Sequence, residues 1–217
     1  MLELKNVTIK HKHKLLLHNC SCNIPSQSII LARNNVNTNI VARTLAGFRS
    51  VDEGEIHLKK TCLIKSNTTN KSINKIFFMI TDNYNNFWKN YRLLDISKIL
   101  TKKYKKSVLC EKYKISIHNS IDSLTNFQKL IYFVTIGLSL ERIIFIFDQP
   151  TKYFDYKELD NFYHFLKNDF SENNYIIFTN RMEDTFINLE SLIYEIDTNK
   201  KKLLLKGGER NADGQEK

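Results

Sequence analysis

Glycine and proline are scarce in this sequence of 217 residues, which has six glycines, two prolines and only seven arginines. Lysine (26), isoleucine (25) and asparagine (24) together supply about a third of the chain. Codons for these three residues consist mainly of A and T, so the composition indicates an AT-rich genome, such as that of an organelle, an endosymbiont or a parasite. The net charge of +10 would ordinarily suggest nucleic acid or an anionic membrane as partner, but we attribute most of it to this codon bias.

Long apolar runs are also missing. The longest, residues 143–147 with its neighbours, is far shorter than the roughly 20 residues of a membrane-spanning helix. The N-terminal segment has no secretory core and no Arg/Ser-rich amphipathic stretch, so we expect no targeting segment there. An apolar content of 42% is enough for a core and excludes a disordered chain. We therefore expect one domain over residues 1–206 and a flexible tail over 207–217.

Cysteine is limited to positions 20, 22, 62 and 110. Cys20 and Cys22 are two apart in a strand-like segment and would point to the same face. A zinc site would need a second close pair, which is missing, although His11 and His13 lie nearby. The sequence therefore predicts reduced thiols in a reducing compartment and no metal site.

Hydrophobic periodicity predicts an α/β chain. Predicted strands cover residues 2–9 (as an edge strand), 15–22, 28–31, 56–58, 76–80, 143–147, 175–178, 192–196 and 202–205. Predicted helices cover residues 40–46, 93–100, 127–138 and 156–170. Residues 33–39 and 65–75 are polar and predict loops, and residues from about 84 to 140 predict an inserted helical subdomain.

Several short motifs follow one another at characteristic spacings. Residues 30–48 read ILARNNVNTNIVARTLAGF, a strand, a polar loop and a helix ending in LAG, and EGEI follows at 53–56. Later segments are LTNFQ at 124–128, IIFIFDQPT at 143–151, YFD at 153–155 and TN at 179–180. In order and spacing, these segments resemble the nucleotide-binding subunit of ABC transporters over residues 2–206. They match that family's phosphate loop, LSGGQ signature, Walker B strand, D-loop and switch-histidine region.

The resemblance implies a P-loop NTPase-like ABC ATPase fold with an antiparallel β subdomain and an inserted helical subdomain. The short single cassette is most similar to the small haem-exporter ATPase of cytochrome c maturation. Membrane subunits of a transporter or larger complex, and a second nucleotide-binding subunit, are the implied partners. Phe87 and Trp88 would lie on the surface that docks on the membrane subunit, although a core position for Trp88 is equally compatible with the sequence.

The phosphate loop differs from the family pattern at the glycine positions, the lysine position and the Mg²⁺-ligand position. Ala32, Asn35 and Asn37 stand at the glycine positions, where backbone N–H groups must converge on phosphate. Thr38 replaces the lysine that neutralises the phosphates, and Asn39 replaces the hydroxyl ligand of Mg²⁺. Asparagine tolerates left-handed backbone, so the loop shape can survive. Thr38, however, supplies no charge, and one lost charge-assisted contact costs about 1.5–3 kcal/mol.

The catalytic positions are altered independently of the loop. Gln149 stands where the resemblance places a carboxylate, and glutamine cannot take a proton from water. Asn180 replaces the switch histidine, Thr81 replaces the Q-loop glutamine, and His11 takes the place of the base-stacking aromatic residue. We interpret Asp148 as a structural carboxylate rather than a Mg²⁺ ligand.

The signature motif spans Leu124, Thr125, Asn126, Phe127 and Gln128, and its two glycine positions hold Asn126 and Phe127. The resemblance implies that these two residues approach the γ-phosphate bound by a partner subunit. We expect the phenyl ring of Phe127 to block that approach. Both composite sites of a dimer would then be damaged.

The sequence therefore predicts a degenerate, non-hydrolysing pseudo-ATPase with no cofactor, acting as a peripheral scaffold on the cytoplasmic or organelle-matrix face of a membrane. One alternative is a working ATP- and Mg²⁺-binding subunit that powers a transporter such as a haem exporter. A second alternative, less expected, is a basic nucleic-acid-associated protein on the same fold. That alternative requires the lysines at 10, 12, 14, 102, 103, 105 and 106 to form one continuous stripe.

Overall fold

A computed structural model of the chain describes residues 2–32, 37–66, 68–69, 73–81, 91–101, 108–181, 189 and 191–206. The strands are β1 (Leu2–His11), β2 (Lys14–Ile24), β3 (Ser28–Leu31), β4 (Glu53–Leu58), β5 (Thr61–Lys65), β6 (Thr68–Thr69), β7 (Phe77–Thr81), β8 (Ile144–Asp148), β9 (Asn174–Thr179), β10 (Leu192–Asp197) and β11 (Lys202–Leu205). The helices are α1 (Thr38–Leu45), α2 (Ile73–Ile76), α3 (Leu93–Thr101), α4 (Val108–Lys112), α5 (Asn126–Ser139) and α6 (Tyr156–His164). A 3₁₀ turn covers Ile121–Ser123, and a π-helical turn, Phe165–Asp169, continues α6.

The strands form two sheets, one antiparallel and one mainly parallel. The antiparallel sheet has the order β2-β1-β4-β5-β6. The second has the order β11-β10-β3-β9-β8-β7, in which only the edge strand β11 runs antiparallel to its neighbour. This arrangement confirms the predicted α/β fold with an antiparallel β subdomain.

Strand β1 is not the edge strand that the sequence predicted. It pairs with β2 on one side and with β4 on the other, where Leu2 lies opposite Leu58. The local pattern of β1 shows which residues are apolar, but it carries no information about a partner some fifty residues away. The prediction was therefore wrong about the position of the strand, although it was right about its existence.

The parallel sheet separates two hydrophobic cores, and strand β8 shows how. Ile144 and Ile146 point into an aliphatic core shared with the antiparallel sheet and α1. Phe145 and Phe147 point the other way, into an aromatic core covered by α5 and α6. Successive side chains of a strand face opposite sides, so the alternation of Ile and Phe assigns each residue type to one core.

The predicted loop over residues 65–75 was only partly right. Strand β5 extends to Lys65, β6 pairs with it, and α2 forms a single turn just before β7. Elements this short contain only about one hydrophobic period, so the sequence pattern does not reveal them. The predicted tail over 207–217 and residues 84–90 of the helical subdomain lie outside the described residues. In the part of the chain that the structure describes, no helix is long and apolar enough to span a membrane.

Helix α1 ends at Gly47, as the sequence predicted. The Phe48 N–H donates to Arg43 O at 2.9 Å and the Gly47 N–H donates to Thr44 O at 3.0 Å, a Schellman motif. Gly47 has a φ of +76°, and a Cβ there would lie 1.8 Å from Ile73 Cδ1. Both the backbone conformation and the close packing of α2 therefore require glycine.

Candidate functional site

The carboxyl ends of four parallel strands lie along one edge of the second sheet. Asp148, the last residue of β8, is paired with Thr81 of β7 on one side and with Phe178 of β9 on the other. On the far side of β9, Leu31 of β3 is paired with Thr179. Loops after such strands form the usual ligand crevice of open α/β sheets, so this edge is the candidate site.

Helix α1 begins directly at this edge. Ala32 directly follows β3, and its N–H donates to Thr179 O at 2.8 Å. Asn37 is the N-cap of α1, but its side chain makes no capping hydrogen bond. Thr38, the first helical residue, is 1% exposed, and Asn39 is half-buried. Asn35, which the sequence placed in the same loop, lies outside the described residues.

Asn39 is bonded directly to the carboxylate of β8. Its Nδ2 donates to Asp148 Oδ2 at 2.8 Å, and Asp148 is 3% exposed. In the resemblance, a metal ion would lie between these two positions. Here an uncharged amide N–H bonds to the carboxylate, so helix α1 is joined to strand β8 by protein atoms alone.

A second bond of the same kind lies beside the first. Gln149 Nε2 donates to Thr38 Oγ1 at 2.7 Å. Gln149 has a φ of +50°, and its N–H donates to Phe178 O at 2.8 Å, which holds the residue against β9. The side chain at the catalytic position is thus bonded to the side chain at the lysine position.

These two bonds limit the chemistry available at the sheet edge. Thr38, Asn39 and Gln149 are uncharged, and the remaining side chain of this set is the carboxylate of Asp148. A triphosphate carries several negative charges and needs cationic partners or a bound metal. These four side chains therefore supply no cation to a triphosphate.

One cavity at this edge, formed by residues that the structure describes, is small. The described residues enclose a cavity of about 120 Å³ lined by Gln149, Thr151, Lys152, Thr179, Asn180 and Arg181. Pockets for small molecules usually have volumes of roughly 300–1,000 Å³. Asn180, the predicted switch position, is exposed on the rim of this cavity, and Thr179 Oγ1 donates to Arg181 O at 2.7 Å.

The signature residues begin helix α5 and stabilise its start. Thr125 and Gln128 form a capping box, in which each side chain accepts the other's backbone N–H at 3.2 Å. Asn126 Nδ2 donates to Tyr153 O at 2.9 Å, which ties α5 to the loop before α6. Leu124 is buried. Polar groups of this motif are therefore bonded within the chain.

Phe127 corrects one expectation. Its ring is 3% exposed and makes edge-to-face contacts with Tyr113, Phe154 and Phe165 at centroid distances of 5.2, 6.2 and 6.4 Å. Its N–H donates to Glu158 Oε1 at 3.0 Å. The ring therefore lies in the aromatic core, and the prediction that it blocks a partner's nucleotide was wrong. Burial of a large aromatic ring stabilises the fold. The position of Phe127 in the sequence did not show that its ring would be buried.

The remaining predicted residues add little to the description of the site. His11 ends β1, where it is half-buried and pairs with Lys14 across the hairpin. Phe87, Trp88 and the lysines at 102, 103, 105 and 106 lie outside the described residues. Lys10 lies 3.5 Å from Glu53, so part of its charge is balanced locally.

Sequence reasoning missed two features that the structure shows. Glu158 completes a capping box with Asp155 and also accepts the Phe127 N–H. The Asp-x-x-Glu spacing before α6 was a visible signal for that cap. The second missed feature is a cluster of Glu55, His57 and Cys62 on strands β4 and β5. Glu55 and His57 are two apart in a strand, which was a signal for a shared face.

Comparisons with known proteins define the class of this fold. No protein-family model and no curated protein sequence matches the chain. A nucleotide-free ATP-binding cassette from an ABC transporter superposes with a TM-score of 0.75 at 12% identity, covering 94% of this chain and 89% of that one. The dimeric cassette MJ0796, bound to ADP and phosphate after hydrolysis, gives 0.69 at 15% identity, with 94% and 96% covered. CbiO1 from Clostridium perfringens, part of the ABC transporter complex CbiONQ, gives 0.74 at 13% identity, with 94% and 86% covered.

The chain therefore has a mixed α/β fold with one antiparallel and one mainly parallel sheet. In particular, it has the fold of the ABC transporter ATP-binding cassettes, as the sequence predicted. Identities of 12–15% carry the likeness of fold and no further property.

Proposed function

We propose that this chain is a non-hydrolysing pseudo-ATPase of the ABC type, which serves as a peripheral scaffold in a membrane complex. The observation that supports the proposal is the pair of hydrogen bonds at the sheet edge, Asn39 to Asp148 and Gln149 to Thr38. Together they join helix α1 to strand β8. A bound nucleotide with its metal would have to separate these same groups.

The free-energy cost of breaking the two hydrogen bonds indicates how strongly they disfavour nucleotide binding. Breaking one hydrogen bond and leaving a buried partner unsatisfied costs about 1–3 kcal/mol. Two such bonds give about 2–6 kcal/mol, which corresponds to a loss of affinity between roughly 30-fold and 10⁴-fold. The missing lysine charge weakens binding further, because Thr38 offers phosphate only a hydroxyl.

A scaffold needs a partner, and the fold suggests its class. CbiO1, one of the similar structures, is part of a transporter complex. We propose membrane subunits of a transporter-like or larger complex as the partner, with this chain on the cytoplasmic or organelle-matrix face. Among such complexes, the haem-exporter type of cytochrome c maturation in a mitochondrion is the one that the sequence resemblance and the composition favour. A second nucleotide-binding subunit would supply any ATP hydrolysis.

Phosphate release by the purified membrane complex tests the proposal. We expect the Mg²⁺-dependent rate to be the same in wild type, Asp148→Asn and Gln149→Ala, because the chain contributes no hydrolysis. Asn23→Ala, an exposed asparagine on β2, is the matched surface control. A rate that Asp148→Asn abolishes and Asn23→Ala leaves intact would instead identify a working transporter ATPase.

A further inference from the structure

The hairpin of β4 and β5 gathers three metal-binding side chains on one face. Glu55 and His57 are two apart on β4, and Cys62 of β5 lies directly opposite His57. His57 Nε2 is 2.8 Å from Glu55 Oε2. The three ligand atoms, one from each side chain, all lie within 4.8 Å of one another.

A β-bulge makes this grouping possible. Ile56 pairs with Ile64, but the next residue, His57, pairs with Cys62, so the strand β5 contains one extra residue, Leu63. In a regular register Leu63 would lie opposite His57 and Cys62 would point into the core. The bulge instead leaves Leu63 2% exposed in the core and brings the Cys62 thiol to the side of His57.

We propose that Glu55, His57 and Cys62 bind a divalent transition metal of the zinc class, with water as the fourth ligand. Carboxylate, imidazole and thiolate are the three ligand types that zinc takes in proteins. Bonds of about 2.0–2.3 Å in a tetrahedral site place ligand atoms roughly 3.3–3.8 Å apart. Small side-chain rotations bring the present spacing into that range. The ion would clamp β4 to β5 across the bulge.

The charges around the cluster agree with a metal carboxylate. Glu55 Oε2 faces His57, and its other oxygen, Oε1, lies 3.2 Å from Lys65 Nζ, so Glu55 would bind through a single oxygen. Lys65 is 65% exposed and can move away from an incoming cation.

A second pair of thiols supplies the main rival site. Cys20 and Cys22 lie on β2 and are free, like Cys62. The hydrogen bond from the Cys22 thiol lowers the pKa of Cys20 to about 7, so a thiolate is accessible there near neutral pH. A metal test must therefore distinguish these two cysteines from Cys62.

Titration of the full chain, with any affinity tag removed, by Co²⁺ and then Zn²⁺ makes that distinction. We expect one cobalt ion per chain, a thiolate-to-cobalt charge-transfer band in the near ultraviolet, and loss of the band when Zn²⁺ is added. Cys62→Ser should remove the band. His57→Asn and Glu55→Gln should weaken cobalt binding by at least about 10- to 100-fold, because even the loss of a residue that only hydrogen-bonds to a metal ligand has an effect of this size. Cys22→Ser, a matched thiol control, should leave band and affinity unchanged.

Lys65→Met provides a variant that changes only a largely exposed side chain. Removing the ammonium group from Glu55 should raise the cobalt affinity several-fold, whereas the ligand variants lower it. The proposal is overturned by a band that survives Cys62→Ser and disappears with the Cys20→Ser/Cys22→Ser pair. The proposal is also overturned if wild type and Lys65→Met bind cobalt no more tightly than Cys62→Ser does. That result would mean adventitious metal only.

Discussion

Two amide side chains lie at the sheet edge, and the hydrogen bonds that they donate define the site. Asn39 and Gln149 each donate to a neighbouring side chain, Asp148 and Thr38 respectively. Asparagine and glutamine have a carboxylate-like shape but no charge, so they can neither take a proton from water nor neutralise a phosphate. The asparagine-rich composition thus extends into the sequence motifs, at positions 35, 37, 39, 126 and 180.

Replacing Asn39 tests whether its bond to Asp148 stabilises the fold. We expect Asn39→Ala to lower the free energy of unfolding by about 1–3 kcal/mol, because the buried Asp148 carboxylate loses its amide donor. Urea denaturation monitored by circular dichroism measures the change. Asn23→Ala, at an exposed position on β2, should stay within about 0.5 kcal/mol of wild type. Equal stabilities of the two variants would contradict the structural role of Asn39.

The sequence predicted the presence of structural elements better than the direction in which their side chains point. The run before Asp148 predicted strand β8 correctly, because five consecutive apolar residues bounded by a turn describe a buried parallel strand. The sequence did not predict which way Phe127 points, because that direction depends on the aromatic residues of α4 and α6 with their flanking segments. It also did not predict that Cys62 joins Glu55 and His57, since a bulge changes which face a residue occupies.

A half-buried carboxylate links the helical part of the chain to the turn that follows α6. Asp169, in the π-helical turn, accepts hydrogen bonds from the Lys112 ammonium and the Tyr113 hydroxyl. Burial opposes ionisation of Asp169, but these two hydrogen bonds outweigh it, and the pKa of the carboxyl is lowered. An aspartate whose pKa is lower in the folded chain than in the unfolded chain stabilises the fold at pH values above its ordinary pKa of about 3.9.

Stability against pH therefore tests this contact between elements. We expect Asp169→Asn to be less stable than wild type at pH 7. The difference should shrink as the pH falls below about 4, when the carboxylate of wild type takes up a proton. Urea denaturation at a series of pH values measures it, with Asp160→Asn on the exposed face of α6 as control. A difference that stays constant down to pH 2 would show that the charge of Asp169 does not fasten these elements.

The molecule as a whole has the ABC cassette fold, and the proposed loss of activity concerns only the sheet edge. Motif order and spacing were enough to predict the ABC cassette fold, because each motif marks the junction of particular strands and helices. The core residues of both hydrophobic layers and the glycine stop of α1 are retained. The side-chain bonds within the site were not predictable, since they depend on distances between residues over one hundred positions apart in the chain.

Equilibrium titration of the purified chain with ATP, with and without Mg²⁺, tests the central claim most directly. The two bonds at the sheet edge and the uncharged Thr38 predict no saturable binding below the millimolar range, and no effect of Mg²⁺ on the titration. Asn39→Ala and Asp148→Ala should give the same flat result as wild type. Micromolar affinity that requires Mg²⁺, and that either substitution removes while Asn23→Ala preserves it, would contradict the account and identify a functional nucleotide site.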